Sequence, residues 1–183
     1  LPACPMDAIH FVEREAPAYD EQAVLAAKQK KAMPQGGCPG QRLRTMQPRP
    51  SAPAEHAAEA SSQLMQWPCQ IKLVPVNAPY FDGAKLLIAA DCTAYAYARM
   101  HEKFMRGRIT LIGCPKLDGV DYAQKLTEIF RTNNIQSVTV VRMEVPCCGG
   151  LEHAARTALQ ASGKFVPWKV VTISVDGKIL EET

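Results

Sequence analysis

The chain has 183 residues, 47% of them hydrophobic and 21% charged, and its 21 Lys and Arg against 18 Asp and Glu leave a formal net charge of +3 at pH 7. That length can bury a sizeable core without disulfide staples, and so small a charge excess, with no Lys/Arg run, gives no support for nucleic-acid binding. No apolar run reaches the roughly 18 residues of a membrane span, and the chain does not open on a basic region followed by a long apolar stretch, so a cytoplasmic protein is expected.

Residues 1–31 hold the stretch LPACPMDAIHF, in which Cys4 precedes Pro5, and then a helical stretch, YDEQAVLAAKQKK. Across residues 32–66 the composition shifts: MPQGGCPGQRLRTMQPRPSAPAEHAAEASS is rich in Pro, Gly, Ser and Ala and poor in large apolar side chains. Such a segment cannot bury enough surface to offset its ordering and is expected to be a linker. Its GGCPG places Cys38 on a sharp turn.

From residue 67 to residue 183 the periodicity becomes regular. QIKLVPV, KLLIAA, ITLIG, SVTVVRMEV and WKVVTISV predict strands. CTAYAYARMHEKFM predicts a helix between the second and third. VDYAQKLTEIFRTNN predicts another, with Tyr122, Leu126, Ile129 and Phe130 on one side and Asp121 with Gln124 as a capping box. LEHAARTALQASG predicts a third, with Leu151, Ala155, Ala158 and Leu159 aligned and Gly163 as its stop. Asp176-Gly177 predicts a turn into a terminal hairpin. Strands alternating with helices predict an α/β fold, a three-layer, mostly parallel, Rossmann-like sheet with right-handed crossovers.

The seven cysteines are Cys4, Cys38, Cys69, Cys92, Cys114, Cys147 and Cys148, an odd count that points away from a disulfide framework and towards metal, redox or buried thiols. Cys92 follows LLIAAD, Cys114 follows ITLIG, and Cys147 and Cys148 follow SVTVVRMEVP. Three strands thus end in cysteine, and in a parallel sheet their carboxyl ends share one edge, where ligands bind. Cys92, Cys114, Cys147 and Cys148 are therefore expected to form a metal site, holding either a 4Fe–4S cluster or zinc, or else a redox-active thiol set. Vicinal Cys147 and Cys148 rarely both reach one small ion, so Asp91 or Cys38 could supply a fourth ligand. Shared ligation predicts sulfurs within roughly 7 Å of one another. For any one of them, a small buried apolar side chain is the plainer alternative. The helix after PCCGG would turn its positive end on Cys147 and Cys148 and favour thiolate.

Cys69, at the start of a strand, is expected to be buried filler. His101 and His153 fall on helices, facing solvent or core. Lys116 and Asp118 flank the proposed site on a turn and could pair with each other, and Tyr95 and Tyr97 are expected to pack. No GxGxxG, GxxxxGK[ST] or GxSxG motif is present, so no nucleotide or serine-hydrolase chemistry is indicated.

LPACPMDAI resembles the end of a 4Fe–4S ferredoxin-type motif, with Leu1, Pro2 and Ala3 as its x3, Cys4 as its last cysteine and Pro5 as the proline that follows. The stretch from WPCQIKL through LIGCPKLD to VPCCGGLE resembles the C-terminal region of bacterial and archaeal 4Fe–4S ferredoxin-type proteins. The resemblance implies an iron–sulfur electron-transfer protein, a carrier or accessory subunit with a redox protein as partner. Cys4 would then ligate a cluster whose C-x2-C-x2-C lies before Leu1, the chain being a fragment. A zinc- or thiol-based module that senses redox state or docks on an oxidoreductase is the alternative, and an enzyme using a thiolate at PCCGG is a third.

Overall fold

The computed structural model describes residues 61–183, so Cys4, Cys38 and what is expected of residues 1–60 lie outside the described residues. Five strands form one sheet: β1 (Lys85–Ala90), β2 (Ile109–Gly113), β3 (Ser137–Met143), β4 (Trp168–Ile173) and β5 (Ile179–Glu182). Their order is β2-β1-β3-β4-β5. The first four run parallel, and β5 returns antiparallel to β4 from the expected hairpin. β1 lies between two partners and is buried from Leu86 to Ala90, which is why its sequence is an unbroken apolar run rather than an alternation.

The helices are α1 (Thr93–Ala96), α2 (Pro115–Asp118), α3 (Tyr122–Thr132) and α4 (Gly149–Ser162). From β1 the chain crosses to β2 in one direction, and from β2 through β3 to β4 in the other. Right-handed crossovers then put α1 on one face of the sheet and α3 with α4 on the other, giving three layers. α3 and α4 pack on each other, with Leu126, Ile129, Phe130, Leu151, Ala155 and Ala158 fully buried. Asp121 caps α3 by accepting a hydrogen bond from the Ala123 amide. Gly163 ends α4 at φ +72°, as its position after the apolar stripe predicts.

Two elements differ from the sequence reading. QIKLVPV makes only a single parallel bridge, from Gln70 to Ile112, before Gln70 O accepts from the amides of both Leu73 and Val74 and the chain turns. Ile71 and Val74 are buried while Leu73 is exposed, a three-residue spacing that suits a turn rather than a strand. The outer edge of β2 is instead completed by Gln66, whose side-chain amide donates to Thr110 O and accepts from Thr110 N. The helix expected over CTAYAYARMHEKFM is broken at Tyr97, whose backbone is extended. It resumes as a π-helical turn, Met100–Met105. The wider turn brings Phe104 and Met105, neighbours in sequence, both into the core beside Met100, which a 3.6-residue helix would not do.

Candidate functional site

β1, β2 and β3 each deliver cysteine to the carboxyl edge of the sheet. Cys92 stands just after β1, Cys114 just after β2, and Cys147 and Cys148 in a 3-10 turn, Pro146–Cys148, between β3 and α4. Crossovers leave in opposite directions from β1 and β3, which are neighbours, so the Cys92 and Cys147 loops flank the point where strand order reverses. Crevices at such points are the standard ligand position in open α/β sheets.

The loops are in contact. A Cβ on Gly150, in the first turn of α4, would stand 3.1 Å from Pro115 Cβ, so the Cys114-Pro115 turn lies against the start of α4. Arg142 at the end of β3 pairs with Glu152 of α4 at 2.8 Å, both half-buried, and so ties together the two elements that bracket Cys147 and Cys148. Each side chain of this edge acts on the others. Cys92 is exposed as a residue, yet partial burial of its thiol, followed by Cys114, Asp91 and Cys147, holds it protonated above its usual range. Asp91 is raised by burial and then by the charge of Asp118, and its Oδ1 is buried without a hydrogen-bond partner. Deprotonation is thus disfavoured by burial first and by neighbouring negative charge second, and a cationic centre bound among the sulfurs would favour it.

Cys148 is 5% exposed, with Cys147 beside it in the same turn. Here the sequence expectation of a thiolate favoured by the helix end is corrected. α4 begins at Gly149, which makes Cys148 its cap residue, but burial pushes its thiol up to about 11, a backbone hydrogen bond from Met143 offsetting only part. In the folded chain Cys148 therefore keeps its proton above the usual value near 9. The folded state binds more protons than the unfolded across that window, and stability falls as pH rises from about 9 to about 11. Melting temperatures measured through this range should fall more steeply for the unaltered chain than for Cys148→Ala; parallel profiles would contradict the assignment.

The remaining predicted residues fall as follows. Cys69 is half-buried, its carbonyl accepting from the Ile112 amide. Asp118 bonds the hydroxyl of Tyr122 and not Lys116, which is exposed. His153 is exposed on α4, and His101 Nδ1 accepts from the Gln63 amide at 3.1 Å. Tyr97 packs edge-on against Phe104 at 5.3 Å, while Tyr95 projects into solvent. The sequence reading placed Tyr122 only in the core; its hydroxyl in fact lies beside the Cys114 backbone, where burial and the Asp118 hydrogen bond raise its pKa. The signal was a Tyr rather than a Phe on an otherwise apolar stripe. Among the described residues, no three His, Cys, Asp or Glu side chains are grouped to grip a single metal ion.

Residues 78–183 match the Rossmann-like domain family. An uncharacterized protein of Archaeoglobus fulgidus is 29% identical over 117 residues, covering 64% of this chain and 83% of that one. No solved structure matches the chain.

Proposed function

Because the chain belongs to the Rossmann-like domain family through residues 78–183, a fold that binds its ligands at the strand ends where order reverses, we propose that its cysteine-bearing edge holds a 4Fe–4S cluster and transfers electrons. One observation carries the reading: three loops from neighbouring parallel strands set Cys92 within electrostatic reach of Cys114, Cys147 and Cys148.

The four thiols make an all-sulfur donor set. A zinc with bonds of about 2.3 Å would need its sulfurs within about 4 Å of one another, and among the described residues no three His, Cys, Asp or Glu side chains are grouped to hold a metal ion. A cubane spreads its thiolates further, roughly 6 Å apart, and takes all-sulfur ligands. Cys92, Cys114 and Cys147 would hold it. The Cys148 thiol, buried beside Cys147, would donate to a ligand sulfur and so raise the reduction potential. Bound there, the cluster supplies a one-electron couple. The chain's own part is to hold three thiolates in place from a rigid sheet edge and to exclude water from the Cys148 side. Cys4 of the Cys-Pro pair is proposed as a ligand of a separate, ferredoxin-type cluster. The proposed partner is a redox protein docking at the exposed Cys92 side.

The test is anaerobic loading with ferrous iron and sulfide. A broad absorption near about 400 nm that dithionite bleaches, with about four irons per chain, is expected. Cys92→Ser, Cys114→Ser and Cys147→Ser should each lose it. Cys148→Ala should keep it at a lower potential, and Cys4→Ser should leave this centre unchanged. A chain that takes one zinc and no iron, or whose colour survives the three serine variants, overturns the reading. The adjacency of Cys147 and Cys148 in one turn favours a second reading, a redox-sensing thiol pair, for which mild oxidation of the iron-free chain would remove two titratable thiols.

A further inference from the structure

A groove of about 360 Å³ crosses the amino edge of the sheet, at the opposite ends of the strands from the cysteines, and Lys85, Arg108 and Lys169 line it. Strand register puts these cations on one face. Alternation along β1 turns Lys85 away from Ala90, whose partner Gly113 abuts Tyr122 of α3, and so onto the α1 face. Lys85 pairs with Ser137 of β3, and Thr139, two residues on, pairs with Lys169 of β4. Arg108, just before β2, stands beside Lys85, because Leu86 pairs with Ile109. Higher up the strands this face is covered, with Val141 and Val171 fully buried, but at Lys85 and Lys169 it is open.

No Asp or Glu lies among the described residues that line the groove. The nearest acid, Glu182 of β5, is shared: Lys169 donates to it at 3.3 Å and Lys103 at 3.1 Å. Among the described residues no carboxylate pairs with Lys85 or Arg108. Like charges at neighbouring strand positions oppose folding, so the fold carries a repulsion that a bound anion would remove. Arg108 is also fixed. Its Nη1 donates to the carbonyls of Phe104 at 2.9 Å and Lys103 at 3.3 Å, which anchors the guanidinium on the end of the π-helical turn and leaves its other N–H groups without a partner among the described residues. A held guanidinium, two ammonium groups and the half-buried Ser137 hydroxyl offer more donors than the two oxygens of a carboxylate can use. They suit the three terminal oxygens of a phosphate group. Lys85 and Lys169 stand two strands apart, about 10 Å, a gap that two lysine side chains can close on one such group.

We propose that this groove binds a phosphate group, free or at the end of a small phosphate monoester, between Lys85, Arg108, Ser137 and Lys169. The site stands apart from the cysteine edge by the length of β1, six residues or about 20 Å, and its test does not depend on iron. Isothermal titration calorimetry of the full chain, with inorganic phosphate, glycerol 3-phosphate and malonate as probes, measures it. Saturable binding of one phosphate group per chain is expected, with malonate, a dianion of carboxylates, at least about threefold weaker. Tighter binding of glycerol 3-phosphate than of inorganic phosphate assigns the ester as the ligand; equal or weaker binding assigns the free ion. Lys85→Gln and Lys169→Gln, both at exposed positions, should each weaken the phosphate probes by roughly tenfold. Lys72→Gln, which removes an exposed lysine outside the groove, should leave them unchanged. Absence of saturable binding, equal affinity for malonate, or the same loss in Lys72→Gln as in Lys85→Gln would each overturn the proposal.

Discussion

Replacing Gly177 with alanine is expected to lower the melting temperature by on the order of 10 °C and to weaken loading of the cysteine edge. Gly177 turns the chain between β4 and β5 at φ +78°, and a Cβ there would overlap the carbonyl oxygen of Ala96. The obstacle is backbone, so no rotamer change relieves it. The left-handed conformation alone costs a residue with a Cβ about 1–2 kcal/mol, and forcing the contact open adds about 1–3 kcal/mol. The consequence also reaches the site. Ala96 ends α1, whose first turn is anchored on Cys92 through hydrogen bonds from the amides of Tyr95 and Ala96 to Cys92 O. Pushing Ala96 away moves the Cys92 loop, so iron loading should fall with the melting temperature. Thermal unfolding followed by circular dichroism, with iron analysis on the same samples, measures both; an unchanged melting temperature would show that the hairpin does not bear on α1.

Gly113→Ala is expected to be the second severe substitution, by about 1–3 kcal/mol, for a different reason. Its backbone is ordinary strand, but a Cβ would fall 2.6 Å from Tyr122 Oη, 2.8 Å from Cζ and 3.3 Å from Ile71 Cδ1. Tyr122 is 2% exposed and cannot swing away without opening the core under α3. Displacing its ring also breaks the hydrogen bond to Asp118, whose helix α2 begins just after Cys114. The signature is a coupling. Tyr122→Leu removes the atoms that collide, so the double variant should lose clearly less stability than the sum of the two single losses in denaturant titrations. Simple additivity would mean that the two side chains do not compete for one space.

The same contacts mark how far the sequence could be read. KLLIAA, ITLIG, SVTVVRM and WKVVTI are strands because β-branched and aliphatic runs of that length, bounded by turns, suit a sheet buried on both faces. The stripe Tyr122, Leu126, Ile129 and Phe130 is local periodicity and was legible as such. QIKLVPV was not, because its alternation is fortuitous and its burial is set by where Ile71 and Val74 meet the edge of β2. The break at Tyr97 was equally hidden, since it follows from fitting Met100, Phe104 and Met105 against the sheet.

For the site, the sequence by itself determined that three strands end in cysteine and that those ends share one edge, because strand direction in a βαβ chain follows from connectivity alone. Only the tertiary structure decided which strands are neighbours, and hence that the Cys92 and Cys147 loops flank the reversal of strand order. It also decided that Cys148 is buried and reluctant to ionise while Cys92 reaches solvent, and that Thr110 keeps a buried hydroxyl unpaired. Burial and partnership are properties of residues distant in sequence. They depend on which surfaces the crossovers bring together, and no local spacing encodes that.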